Sequence, residues 1–167
     1  MRIGIVTAVA AATLSLAAIA LVAQPWQVAS AQGDLVEAVK TRQKAMKGNS
    51  AIAKELGAFF KEGKGTAEEM ADKAHQLVEV AKVIPSVFPE GTSLEQQLEG
   101  IEENRAKPEI WQNWSEFEAA AAKLGTEAAK LEELLEAGDK EAAAAQFAVV
   151  GKQGCGGCHQ TFRAPEA

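Results

Sequence analysis

The sequence lacks tyrosine altogether, and it contains only two cysteines and two histidines among 167 residues. Runs of β-branched residues are nearly absent after the N-terminal segment, which argues against a β-sheet domain. The motifs G-x-x-x-x-G-K-S/T, G-x-G-x-x-G, H-E-x-x-H and G-x-S-x-G are also missing, so these signatures of nucleotide binding, zinc proteolysis and serine hydrolysis are excluded. Nothing else in the sequence indicates catalysis.

Basic residues are in the minority, with 17 Lys and Arg against 23 Asp and Glu, which gives a net charge of −6 at pH 7. Nucleic-acid phosphates repel a protein with this excess of negative charge, so nucleic acid is not an expected partner. Protein partners are expected to present a basic surface instead.

An apolar run from Ile3 to Ala23 follows the basic start of the chain. The Ala-Ser-Ala sequence that ends at Ala31 is the small-x-small pattern of a signal-peptidase site. We predict that residues 1–31 are a cleaved secretory signal peptide and that residues 32–167 form one exported domain. The alternative is an uncleaved anchor, because the run approaches the roughly 20 residues that span a bilayer.

Both cysteines occur in one motif near the C-terminus, Cys155-Gly156-Gly157-Cys158-His159. C-x-x-C-H is the attachment signature of c-type haem, in which both thiols bond to the porphyrin and the imidazole is an axial ligand of the iron. On a helix, positions i, i+3 and i+4 share a face, so the three side chains can reach one macrocycle. We predict one covalently bound haem c, attached in the periplasm.

Two other interpretations of the motif compete with haem. A structural zinc site needs four ligands, but only Cys155, Cys158, His75 and His159 are available, and His75 is far away in sequence. A thioredoxin-like redox pair should follow a strand at the start of a helix, whereas this motif lies at the end of a sequence that is helical in composition. The motif therefore favours haem.

Four amphipathic segments follow the predicted signal peptide, at about residues 34–61, 66–84, 108–137 and 139–159. The stretch between Pro85 and Lys107 lacks periodicity and is punctuated by proline and glycine. A connection of this length suggests a crossover between helices that are not simple neighbours. The predicted fold class is all-α, a four-helix bundle with a long crossover loop between helices 2 and 3.

Two polar residues interrupt the apolar stripe of the first helix. Arg42 and Asn49 lie about one turn on either side of Met46. A buried arginine without a partner is costly, so a nearby anion is expected, with a haem propionate as the candidate. The alternative is that Arg42 reaches solvent at the edge of the bundle. On the second helix, His75 lies off the apolar stripe and is predicted to be a solvated surface residue.

The predicted mature chain resembles the cytochrome c′ family over essentially its whole length. The residues that carry the resemblance are Arg42-Gln43 and Met46-Lys47 in the first helix, Pro89 in the crossover, Pro108-Glu109-Ile110-Trp111 at the start of the third helix, and the C-x-x-C-H motif with Phe162 and Arg163 behind it. The resemblance implies a left-handed bundle with haem near one end and His159 as the proximal ligand. Arg42, Asn49, Phe162 and Arg163 are expected in the haem environment.

This family divides on the opposite side of the iron. High-spin members leave the sixth position open to nitric oxide or carbon monoxide, whereas the low-spin cytochrome c556 group has a ligating methionine on the first helix. The sequence Met46-Lys47-Gly48-Asn49 resembles the c556 group, which selects Met46 as the ligand, although spacing alone leaves Met70 open.

The resemblance therefore implies a one-electron carrier and not an enzyme. The alternative is a five-coordinate protein that binds gas, with Met46 as a steric gate. Redox partner proteins with a basic docking surface are expected, no membrane contact is expected after signal cleavage, and a homodimer is an open possibility because many relatives pair through their helices.

Overall fold

The computed structural model describes residues 25–166, with side chains described from residue 32 onward. Its elements are α1 (Pro25–Glu62), α2 (Ala67–Val83), a 3₁₀ turn (Pro85–Val87), α3 (Glu109–Gln112), α4 (Trp114–Glu136), α5 (Lys140–Val149), a π-helical turn (Val150–Cys155) and α6 (Gly156–Phe162). They make four long segments, because α3 leads into α4 and the π turn joins α5 to α6. Within the described range the only β pairing is one isolated bridge. The predicted all-α four-helix bundle is confirmed.

Residues that cap the helices account for two of the predicted boundaries. Thr66 forms a capping box, because its hydroxyl accepts from the Glu69 N–H at 3.1 Å and the Glu69 carboxylate accepts from the Thr66 N–H at 2.8 Å. At the next turn, Gly138 has φ of 72° and the Asp139 carboxylate accepts from the Ala142 N–H at 3.0 Å. Both boundaries agree with the sequence pattern.

Two interruptions of the helices differ from the predicted continuous segments. Asn113 has φ of −126° and ψ of 50°, which separates α3 from α4. The indole nitrogen of Trp111 donates to the Phe88 carbonyl at 3.0 Å, so α3 is tied to the preceding loop. The π turn before the cysteine motif contains Gly151 and Gly154, and glycine weakens regular helix.

Most of the predicted signal peptide lies outside the part of the chain that the structure describes. Residues 1–24, and the side chains of residues 25–31, lie outside the described part, so cleavage after Ala31 stays a prediction. The described backbone is already helical at Pro25, ahead of the helix start predicted near Asp34. Among the described helices, none has the length and apolar character needed to cross a membrane.

Contacts at the two ends of the bundle show which elements are neighbours. At one end, the Lys140 ammonium lies 4.6 Å from the centroid of the Phe59 ring, and the Phe60 and Phe147 rings stack at 5.4 Å. At the other end, the crossover loop (residues 88–108) meets α6, where the Lys107 N–H donates to the Phe162 carbonyl at 3.1 Å. We call this second end the motif end.

An aromatic cluster fills the core at the motif end. Phe117 on α4 is 1% exposed, and its ring centroid lies 4.8 Å from that of Phe88, 5.4 Å from that of Phe162 and 5.5 Å from that of Trp114. These contacts join α4 to the crossover loop and to α6. The cluster therefore holds three elements of the motif end together.

A buried carboxylate lies in the middle of α4. The Glu127 carboxylate accepts from Lys123 at 2.8 Å, from the Gln146 side chain at 2.8 Å and from Lys130 at 3.2 Å. Hydrogen bonds from Lys123 and Gln146 lower the pKa of Glu127 to about 2. The group is fully paired and connects α4 to α5.

Candidate haem site

The cysteine motif begins at the end of the π turn and continues into α6. Cys155 and Cys158 are half-buried free cysteines packed against the hydrophobic core, and the adjacent His159 is more exposed than they are. The uninterrupted helical backbone from Cys155 to Phe162 places these three side chains on one face. This is the arrangement that the C-x-x-C-H spacing predicts.

The electrostatics of the motif follow from its partial burial. Burial raises the pKa of the Cys155 thiol, and burial together with Cys155 raises the pKa of the Cys158 thiol to about 11. Partial burial, with Arg163 and Arg105 nearby, lowers the pKa of His159. At neutral pH the motif therefore presents two neutral thiols and a neutral imidazole whose nitrogen lone pair can bind a metal.

Close backbone packing surrounds the motif. A Cβ on Gly154 would lie 3.0 Å from Leu124 Cδ1 and 3.3 Å from Leu124 Cα, so α4 and the π turn approach each other closely. A Cβ on Gly156 would lie 3.2 Å from the Gly151 carbonyl oxygen, whereas one on Gly157 would meet nothing within 4 Å. The donor set of two thiols and one imidazole on a glycine-rich helix fits a c-type haem.

Replacing Gly154 with alanine is expected to destabilise the haem-loaded protein by about 1–3 kcal/mol, because the new methyl group overpacks against the Leu124 backbone. Gly151→Ala is the matched control in the same turn, since nothing lies within 4 Å of its Cβ position. Alanine there should raise stability by up to about 1 kcal/mol through helix propensity. Urea unfolding measures both changes, and equal effects of the two variants would contradict the close packing at Gly154.

The zinc alternative receives no support from the positions of the side chains. Residues 25–166 contain no group of three or more His, Cys, Asp or Glu that could hold a metal ion. His75 is an exposed residue of α2, with its Nδ1 2.9 Å from the Glu132 carboxylate. The prediction that His75 is a surface residue is confirmed.

Met46 and His159 lie at similar heights in the bundle. α1 runs toward the end where Phe60 stacks on Phe147, and the last helical segment runs away from that end. At 1.5 Å per residue, Met46 lies about 21 Å from Phe60 along α1, and His159 lies roughly 16–18 Å from Phe147 along its own segment, which includes the wider and shorter π turn. Met46 is half-buried and packs against the core.

Met70 lies at the opposite end of the bundle from the motif. It is 6% exposed near the start of α2, and its Cε lies 3.3 Å from the Cβ position of Gly65 in the α1–α2 turn. This turn follows Phe60 closely in sequence, and His159 lies roughly 16–18 Å along its helical segment from the level of the Phe60–Phe147 contact. The structure therefore places Met70 in the core, away from His159.

Arg42 is 4% exposed, and the crossover loop provides its acceptors. The guanidinium donates to Thr92 Oγ1 at 2.7 Å, to the Thr92 carbonyl at 2.6 Å and to Asn104 Oδ1 at 2.8 Å, and it lies 4.6 Å from the Phe88 ring centroid. Burial lowers the pKa of Arg42 to about 10, so the group is charged at neutral pH. The acceptors on Thr92 and Asn104 are uncharged. The contact between Arg42 and a haem propionate stays a prediction.

The other predicted residues of the haem environment lie around the same end. Asn49 is half-buried on the face of α1 that carries Met46, and Phe162 is buried against Phe117. Arg163 ends α6, where its side chain lies 3.5 Å from the Glu166 carboxylate. Thr92 and Asn104, which bind Arg42, were not predicted. The signal in the sequence is that a buried arginine needs hydrogen-bond acceptors. The polar residues of the crossover loop are candidates for that role.

Comparison with known proteins identifies relatives of this chain in one family. A family model described as Cytochrome C′ matches residues 37–163. A cytochrome c′ from Rhodospirillum rubrum is 31% identical to the chain over 126 residues, which make up 75% of this chain and 81% of the relative. The range matched by the family model includes the C-x-x-C-H motif.

Similarity also extends to proteins described as c-556. A cytochrome c-556 from Agrobacterium tumefaciens strain B2A is 40% identical over 83 residues, which make up 50% of this chain and 60% of that relative. An NMR-validated structural model of oxidized cytochrome c556 from R. palustris superposes with a TM-score of 0.66 and 25% identity, covering 78% of this chain and 98% of that chain.

Proposed function

Because this chain belongs to the cytochrome c′ family, we propose that it is a periplasmic one-electron carrier whose haem iron is ligated by His159 and Met46. The chain is a c-type haem protein of an electron-transfer family, and its haem c is covalently attached. When bound, the haem supplies an iron that cycles between the ferric and ferrous states.

Three residues would hold the haem: Cys155, Cys158 and His159. Each thiol would form one thioether bond to the porphyrin, and the neutral imidazole would ligate the iron from the same face of α6. The half-buried position of the cysteines against the core supports this assignment, since it places the attachment points where the macrocycle would be shielded from water. Phe162 and Arg163 follow directly and would lie behind the proximal ligand.

Met46 is assigned as the second axial ligand. The observation that supports this assignment best is its height in the bundle, which matches that of His159, whereas Met70 lies near the opposite end. A thioether is a soft ligand that suits haem iron, and a methionine ligand raises the reduction potential. Reorganisation is small if both ligands are kept in both oxidation states.

A five-coordinate haem that binds nitric oxide or carbon monoxide is the second candidate. The alignment with the Rhodospirillum rubrum cytochrome c′ favours it, because that match covers 75% of this chain and the c-556 match covers 50%. Met46 would then be a steric gate next to an open sixth position.

Electron transfer also requires a partner, for which we propose a protein with a basic docking surface. The chain has a net charge of −6, and the crossover loop at the motif end exposes five glutamates, Glu90, Glu95, Glu99, Glu102 and Glu103. Opposite charge would steer the partner to this end and raise the association rate. The interface would belong to the small class of transient redox contacts.

The ferric absorption and electron paramagnetic resonance spectra test the ligand assignment. We expect a low-spin signal together with the weak iron-to-thioether charge-transfer band, because both axial positions would be filled by strong-field ligands. A high-spin ferric spectrum without that band would overturn the His159/Met46 carrier and favour the gas-binding alternative.

A further inference from the structure

We propose that Arg42 is a positioning residue that fixes α1 against the crossover loop and thereby holds Met46 at bonding distance from the iron. This inference rests on the proposed function, since it assumes that Met46 is a ligand. The contact between Arg42 and the crossover loop decides whether ligation occurs. We call the group formed by Arg42, Thr92 and Asn104 the arginine clamp.

Arg42 and Met46 are four residues apart on α1 and therefore share one face of the helix. Any displacement of α1 at Arg42 would be transmitted to Met46 about 6 Å further along the helix axis. The guanidinium is almost completely buried at 4% exposure, so it cannot shift without breaking its hydrogen bonds or exposing the cation to apolar surroundings.

Each hydrogen bond of the Arg42 side chain ends on the crossover loop. Thr92, which is 0% exposed, accepts through both its hydroxyl and its carbonyl, at 2.7 and 2.6 Å, and Asn104 accepts at 2.8 Å. The Phe88 ring covers the guanidinium at 4.6 Å. Hydrogen bonds to a charged donor are stronger than neutral ones, so the clamp is a rigid contact between α1 and the loop.

The clamp continues toward the helix that carries His159. The Asn104 amide donates to the Ser93 carbonyl at 2.7 Å, and its Oδ1 also accepts from the Ala106 N–H at 3.3 Å. The next residue, Lys107, donates its N–H to the Phe162 carbonyl of α6 at 3.1 Å. These hydrogen bonds, together with the backbone from Asn104 to Lys107, thus join the helices of the two proposed axial ligands.

Ligation by a methionine requires this kind of support. A ligand must be held within about 0.5 Å of its bonding position by neighbours whose own positions are fixed. Met46 itself is only half-buried, and its flexible side chain does not by itself fix the position of the sulfur atom. The separation between α1 and α6 therefore decides the population of the ligated state, and the arginine clamp sets that separation at the motif end.

The test compares the haem-loaded wild-type protein with Arg42→Leu, which removes the buried cation without adding a group that can ligate iron, and with Asn104→Ala, which keeps Arg42. In both variants we expect a larger ferric high-spin fraction and about tenfold tighter apparent carbon monoxide binding in the ferrous state, because the thioether competes with the gas for the iron. Faster amide exchange at Leu94, whose N–H donates to the Ala106 carbonyl at 2.7 Å, is expected alongside.

Glu127→Gln is the matched control, because Glu127 is also a buried charged residue in a paired network but lies on α4 away from the clamp. It should lower stability and leave the spin state and carbon monoxide affinity unchanged. If Arg42→Leu and Asn104→Ala keep the wild-type spectrum as Glu127→Gln does, the positioning role is wrong while the ligand assignment stands. A high-spin wild-type protein would overturn both. If Arg42→Leu does not fold, Asn104→Ala alone decides.

Discussion

Met46→Ala is expected to convert the ferric protein to a high-spin form and to allow the ferrous iron to bind carbon monoxide. Alanine has no group that can ligate iron, and no other methionine of the described chain lies at the height of His159. The sixth position would then be open. Absorption and electron paramagnetic resonance spectra would show the loss of the iron-to-thioether band, and carbon monoxide titration would measure the new binding.

Met70→Ala is the matched control for this experiment, since it removes the same side chain from the opposite end of the bundle. Met70 is 6% exposed, so its loss should cost about 2–5 kcal/mol of stability through the transfer term and the cavity. The low-spin spectrum should not change. A Met46→Ala protein that stays low-spin would contradict the ligand assignment, and loss of the band in Met70→Ala would point to Met70 instead.

Local signals in the sequence predicted much of the fold. The capping box at Thr66 and the turn at Gly138 and Asp139 depend on residues within four positions, so their pattern in sequence fixes the helix ends. The break at Asn113 could not be predicted in this way. It accompanies a hydrogen bond from Trp111 to Phe88, which is 23 positions away. The π turn likewise accompanies the approach of Gly154 to Leu124 on another helix.

The candidate site likewise combines features that nearby residues determine with features that depend on residues far apart in sequence. The C-x-x-C-H motif is contiguous, so the sequence alone identifies the proposed attachment residues and the proximal ligand. The sequence predicts that Arg42 is either buried beside an anion or reaches solvent at the edge of the bundle, but its acceptors Thr92 and Asn104 lie 50 and 62 positions away. Met46 and Met70 both lie on apolar stripes, and only the packing of the helices separates them by height.

Phe117→Ala is expected to cost about 3–5 kcal/mol of stability. Phe117 is 1% exposed and lies against three aromatic rings, those of Phe88, Trp114 and Phe162. Its removal leaves a cavity between α4, the crossover loop and α6, which cannot all close in at once because the hydrogen bond from Lys107 to Phe162 keeps the last two in register. Urea unfolding of the haem-loaded protein measures the loss.

Phe147→Ala provides the comparison, because Phe147 is half-buried and stacks on the single ring of Phe60 at the opposite end of the bundle. Less apolar surface is lost there, so the cost should be smaller than that of Phe117→Ala. Amide exchange separates the two further: Phe117→Ala should speed exchange at Lys107, whose N–H bonds to Phe162, and Phe147→Ala should not. Equal losses of stability with unchanged exchange at Lys107 would show that the aromatic cluster does not hold the motif end together, and the packing that supports α6 would have to come from Leu124 and the π turn instead.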